Sequence, residues 1–138
     1  MTRYWGGKKR LAKELAPVIE NTARLCYDKQ AITFYWEPFA GMYSVGFELM
    51  ERQQLNPALF IASDKNQHVM NLFQSLKDKT FDPPAHLDHK EYLALKQSKH
   101  LFSPLHVLTG HACGFQWLLF GRLQRLSETL PIRFSWFH

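Results

Sequence analysis

Cysteine is scarce. Cys26 and Cys113 are the only two in 138 residues. That is too few for a disulfide scaffold, and neither has partners at metal-ligand spacing, so both are expected as reduced thiols. No apolar run approaches the ~20 residues of a membrane span, and no membrane partner is expected. The opening Met1-Thr2-Arg3-Tyr4-Trp5-Gly6-Gly7 lacks the apolar stretch of a secretory signal. No serine sits in a nucleophile elbow. His86 and His89, or His106 and His111, lack a Cys or acid at zinc-site spacing, so no metal is expected. Repeats and low-complexity tracts are absent. Acid is in short supply: Asp+Glu number 12 against 17 Lys+Arg, leaving a net charge of +5. The imbalance favours a polyanionic partner mildly.

What is present describes a folded domain. The chain is 46% hydrophobic and 14% aromatic, with 21% charged residues, which excludes a disordered segment. Its length fits one domain or part of one. Arg3, Lys8, Lys9, Arg10 and Lys13 crowd the first thirteen positions. Leu11, Ala12, Leu15, Val18 and Ile19 follow at helical spacing, so Gly6-Gly7 reads as a loop opening a helix near Lys8. Pro17 is expected to kink or end that helix. Ile32-Thr33-Phe34-Tyr35-Trp36 reads as a buried strand. Val45, Phe47, Leu49 and Met50 predict a helix ending near Gln54. Ala58-Leu59-Phe60-Ile61-Ala62 predicts a second strand, stopped by Ser63-Asp64-Lys65-Asn66. Val69, Leu72, Phe73 and Leu76 mark a third helix. This alternation predicts a parallel sheet with right-handed crossovers. Residues 78–89 read as a connector, 91–98 as a short helix and 101–123 as helical. Residues 127–138 take no assignment.

Glu37 and Asp64 close the two predicted strands. In doubly wound sheets, ligands bind beyond the carboxyl ends of strands, where a glycine turn lets them approach the backbone. Gly41 is the candidate glycine. A carboxylate after the second strand can accept both hydroxyls of a ribose, and Glu37 can face a ligand amine. The plain alternative makes both acids turn or helix-cap residues.

Three segments occur in order: Arg3-Tyr4-Trp5-Gly6-Gly7-Lys8, then Trp36-Glu37-Pro38-Phe39-Ala40-Gly41, then Ser63-Asp64-Lys65-Asn66. Together they resemble the DNA adenine-N6 methyltransferases of the GATC-methylase type, with their phage and large-virus relatives. Weaker similarity continues through His89-Lys90-Glu91-Tyr92 and the run from Gly110 to Gly121, so the resemblance covers most of residues 3–125. It implies an α/β, Rossmann-like fold that depends on S-adenosylmethionine, incomplete here and followed by part of a helical target-recognition region. Residues 1–80 would be the cofactor-binding part, and 81–138 the connector and recognition-like part. Tyr4, Lys8 and Asp64 match the family's cofactor contacts, and Glu37 and Gly41 match its cofactor loop. Trp5 and Phe39 are candidates for apolar or cation–π contacts with the cofactor. Lys8 suits its carboxylate. Arg3, Lys9 and Arg10 are candidates for DNA phosphates.

Two departures stand out. The family's cofactor loop usually reads Gly-x-Gly or Gly-Gly-x, whereas this one reads Gly41-Met42-Tyr43-Ser44. Tyr43 is therefore expected to bend the loop differently or to crowd the ligand. The family's Asp-Pro-Pro-Tyr tetrad, which holds a flipped adenine, is also absent. Asp82-Pro83-Pro84-Ala85 lacks the tyrosine and reads as a connector, so no catalytic residue is assigned. The expectation is a truncated methyltransferase, inactive as this chain alone, or a binding protein derived from one. A protein partner or second copy is expected to cover the missing part of the sheet, in a cytoplasmic setting that is bacterial or that of a virus-infected cell.

Overall fold

The computed structural model describes residues 9–27, 31–82, 88–97, 125–126, 128 and 130–136. The elements run in the order α1 (Lys9–Tyr27), β1 (Phe34–Glu37), α2 (Ser44–Arg52), β2 (Leu59–Asp64), α3 (Gln67–Lys77), α4 (His89–Gln97) and β3 (Ile132–Trp136). The strands form one sheet in the order β1-β2-β3. Both pairings are parallel, with Glu37 opposite Ala62, and Asp64 opposite Trp136. Parallel neighbours require crossovers, and α2 makes the first, as the alternating pattern predicts.

α2 and α3 cover one face. Val45, Phe47, Leu49 and Met50 from α2 meet Val69, Leu72, Phe73 and Leu76 from α3 over Phe60, Ala62, Ile132 and Phe134. Phe73 stacks on Phe134 with ring centres 5.3 Å apart. Phe47 meets Phe73 edge-on. The opposite face carries Phe34 and Trp36, both more than half exposed, so β1 is not the buried strand expected from Ile32–Trp36: of its four residues only Glu37 is buried.

Pro17 does not end α1, which runs through it to Tyr27. Proline fits helical φ and forfeits one amide bond. Packing offsets that loss: Ala12, Ala16 and Glu20 form the buried face. The Glu20 carboxylate accepts both arms of the Arg52 guanidinium, at 2.7 and 3.0 Å. The larger apolar residues of α1 point elsewhere, and Leu11, Leu15 and Val18 are exposed.

β3 is an addition to the sequence-based expectation. Ile132, Phe134 and Trp136 alternate with Arg133 and Ser135, the period of a half-buried strand. Among the described residues no helix is long and apolar enough to cross a membrane. No cluster of metal-ligating side chains occurs among them either.

Candidate functional site

The carboxyl edge of the sheet carries the site. β1 ends at Glu37, opposite Ala62, and the neighbouring β2 runs two residues further to Asp64. Residues 38–43 cross over this edge into α2. The loop is tied down at three points. The Ala40 amide donates to the Ser63 carbonyl (3.0 Å), and the Tyr43 amide to the Ala40 carbonyl (2.7 Å). The Gly41 amide donates to Asp64 Oδ2 at 2.8 Å. Gly41 has φ 52°, the left-handed region where a β-carbon is strained.

The second Asp64 oxygen also has a partner, because Oδ1 accepts from the Asn66 amide at 2.9 Å. Asn66 in turn caps α3, its side-chain oxygen accepting from the amides of His68 and Val69. The Asp-x-Asn spacing thus has a local cause. The first acid closes the turn and ties the neighbouring loop, and the asparagine starts the helix. Each carboxylate oxygen has two acceptor directions, so one protein donor apiece leaves capacity for a ligand hydroxyl.

Glu37 is buried, 8% exposed. Its Oε2 accepts from the Gly46 amide in the first turn of α2 (3.2 Å) and from the Tyr35 hydroxyl (3.3 Å). Its charge therefore sits at the positive end of that helix. Burial, then the Glu37 charge, then that hydrogen bond push the Tyr35 hydroxyl well above the usual tyrosine range. Tyr43 is raised further, by burial first and then by Glu37 and Tyr35.

Tyr43 has φ 55° at the cap of α2. Its ring leaves the loop for the core and is fully buried. Phe39 remains at the edge, 68% exposed. The structure therefore brings Glu37, Phe39, Gly41 and Asp64 together. Arg3, Tyr4, Trp5 and Lys8 lie outside the described residues, as does the run from Gly110 to Gly121. Lys9 and Arg10 are exposed in the first turn of α1. The Glu20–Arg52 pair joins the C-terminal halves of α1 and α2, and Ala12 and Ala16 continue that packed face. The start of α1 therefore points toward the same edge as the start of α2.

Sequence reasoning missed Trp136. It sits at the carboxyl end of β3 beside Asp64 in register, and 46% of it is exposed. The alternation ending in Trp136 was the available signal.

Asp82 lies at the other edge of the sheet. α3 starts at the carboxyl edge and returns along the strands. At its far end Lys77 Nζ donates to the carbonyl of Ile132, the first residue of β3. The chain then turns back through Thr80 and Phe81, whose amides donate to the Ser75 carbonyl, and Asp82 follows, exposed. It leaves a helix rather than a strand, at the end of the sheet away from Glu37 and Asp64. Pro83, Pro84 and Ala85 lie outside the described residues.

No curated protein and no solved structure matches the chain. The family model of the D12 class N6 adenine-specific DNA methyltransferases matches residues 4–129. With almost its whole length inside that match, and an α/β fold built on a parallel sheet, the chain belongs to the D12 class N6 adenine-specific DNA methyltransferases.

Proposed function

We propose that the carboxyl edge of this sheet binds S-adenosylmethionine and that the domain serves methyl transfer to adenine N6 in DNA. One observation carries the reading. A left-handed glycine and two strand-end carboxylates share a single loop, with Asp64 holding the Gly41 amide at 2.8 Å. Gly41 has φ 52° and carries no β-carbon, which suits close approach of a ligand to the backbone. The acceptor capacity left on Asp64 suits ribose hydroxyls. Phe39 and Trp136 offer exposed aromatic faces for a flat base or a sulfonium. When bound, the cofactor supplies an electrophilic methyl group on sulfonium sulfur. This chain's residues orient it: Asp64 at the ribose, Glu37 as negative charge beneath the loop, and Tyr4, Trp5 and Lys8 from the leading segment. Residues 1–80 form the cofactor-binding part of a Rossmann-like fold in this reading. Residues 81–138 form the connector and recognition-like part, from which β3 rejoins the sheet.

DNA is the expected macromolecular partner. Lys9, Arg10 and Lys13 are exposed at the start of α1, whose first turn has no acid. Cations are disfavoured at that end of a helix, so they suit phosphates better than helix stability. Methyl transfer by this chain alone is not expected, because Asp82 lies at the wrong edge of the sheet. The second reading, a non-catalytic binding protein derived from a methyltransferase, rests on that same placement. Phe34, Trp36 and α1 line an apolar groove of about 300 Å³ beside β1. Among the described residues β1 has a strand on one side only. A partner or second copy covering this side of the sheet belongs to the same reading, in a cytoplasmic setting.

Calorimetric titration with S-adenosylmethionine tests the proposal, alongside tritiated methyl transfer to unmethylated duplex DNA. Saturable 1:1 binding without turnover is expected. Absence of binding by the folded chain refutes the cofactor site. Turnover lost in Asp82→Ala refutes the inactive reading.

A further inference from the structure

Tyr43 adopts φ 55° and ψ 33° at the cap of α2, a conformation that side chains other than glycine rarely take. Something must hold it there. The ring is fully buried. It meets Phe47 edge-on at 5.1 Å and Phe134 at 6.3 Å. Its floor is Gly46. A β-carbon at position 46 would lie 2.2 Å from Tyr43 Cζ and 2.5 Å from each Cε, so the ring occupies the space a side chain at 46 would need.

The same two residues fix the backbone of the site. The Gly46 amide is the one bound by Glu37 Oε2. The Tyr43 amide closes the turn onto Ala40, and its carbonyl accepts from Phe47. Gly41, whose amide donates to Asp64, lies inside that turn, two residues before Tyr43. The phenol oxygen meanwhile is buried with no hydrogen-bond partner among the described residues. The packing contacts described for Tyr43 are those of its ring.

We propose that Tyr43 is a positioning residue of the strand-end loop, its ring locked onto Gly46 so that the Gly41 amide stays on Asp64 and the loop is shaped before any ligand arrives. The inference deepens the cofactor reading above and rests on it for its functional meaning. Its structural half stands alone.

Two readouts separate them: hydrogen exchange of the Gly41 amide by NMR, compared with amides of β2, and titration with S-adenosylmethionine. Tyr43→Phe keeps the ring and should preserve both. Gly46→Ala expels the ring. It should lower Gly41 protection by about tenfold or more relative to β2, and affinity by roughly tenfold. Tyr43→Gly in the Gly46→Ala background should add little, about twofold at most, because the ring is already displaced. If Gly46→Ala does not fold, Tyr43→Ala carries the test, with selective loss of Gly41 protection expected. Unchanged Gly41 protection in Gly46→Ala or Tyr43→Ala overturns the proposal. So does a fall shared equally by β2, which would mark a merely structural role, or an additive double variant. If the unaltered chain binds no S-adenosylmethionine while the exchange pattern holds, the cofactor reading fails and the positioning role stands. If the exchange pattern holds and the cofactor binds with unchanged affinity in Gly46→Ala, the link between loop and ligand is refuted.

Discussion

Replacing Asp64 by alanine removes the acceptor for two backbone amides at once. Gly41 donates at 2.8 Å and Asn66 at 2.9 Å, one to each oxygen. A hydrogen bond to a charged group contributes about 1.5–3 kcal/mol, and the half-buried Gly41 amide has little water to replace it. Asn66 is exposed, so its amide rehydrates and the loss there is about 0.5–1 kcal/mol. The sum is roughly 2–4 kcal/mol. For a chain of this size, that lowers Tm by roughly 8–16 °C. Asp64→Asn keeps one carbonyl acceptor while turning an amide toward the other donor, so it should fall between wild type and alanine. Urea unfolding followed by circular dichroism gives the stabilities. The same variants titrated with S-adenosylmethionine should lose roughly 10- to 150-fold in affinity if the carboxylate also holds the ribose. An alanine variant within about 0.5 kcal/mol of wild type refutes the bridging role, since a surface substitution does no more than that. A destabilised alanine variant with unchanged affinity keeps the bridge and removes Asp64 from the ligand.

Glu37→Ala strands the buried Gly46 amide, which donates to Glu37 Oε2 at 3.2 Å, and should cost about 2–3 kcal/mol; a loss below about 0.5 kcal/mol in urea titrations would contradict that contact. Tyr35 and Tyr43 both resist ionisation when folded. Their unfolded forms ionise near the ordinary value of 10.0. This contribution to stability is therefore complete below that pH and is lost progressively above it. Tm measured across the alkaline range should fall, and the double phenylalanine variant should flatten the fall; an unaltered slope refutes burial of the phenols. Charge reversal of Lys9, Arg10 and Lys13 should weaken non-specific DNA binding and reduce the slope of log K against log salt by about 0.9 for each phosphate no longer neutralised. An unchanged slope in fluorescence anisotropy removes this helix start from the DNA surface.

The sheet-forming half of the chain was legible because each element had its own period. Strand β1 is aromatic and follows the β-branched Ile32-Thr33, α2 and α3 repeat apolar residues at helical spacing, and Asp64-Lys65-Asn66 marks a turn with a capping residue. The strand-end position of Glu37, Gly41 and Asp64 followed from that alternation. What remained illegible depends on distant partners. β3 is five residues long, and its register against β2 comes from tertiary pairing that no local period encodes. The fate of Tyr43 depends on Gly46 and on Phe134 from β3, so the loop sequence alone suggested a ring crowding the ligand. The persistence of α1 through Pro17 depends on α2, whose Arg52 reaches Glu20. The leading aromatic and Gly-Gly-Lys residues, by contrast, were legible only through family resemblance and lie outside the described residues.

The contact between the Tyr43 ring and Gly46 also ties the two positions to each other under substitution. The Tyr43 ring can take this seat only while position 46 is glycine, since any β-carbon there would meet the ring. Once the ring is seated, position 46 can no longer accept a side chain. Replacing the tyrosine by a small residue then opens a void beside Phe47 and Phe134, with the cost that cavities in a packed core carry. A change at either position alone therefore disturbs the packing of the other. Packing thus couples the two positions independently of any ligand at the loop.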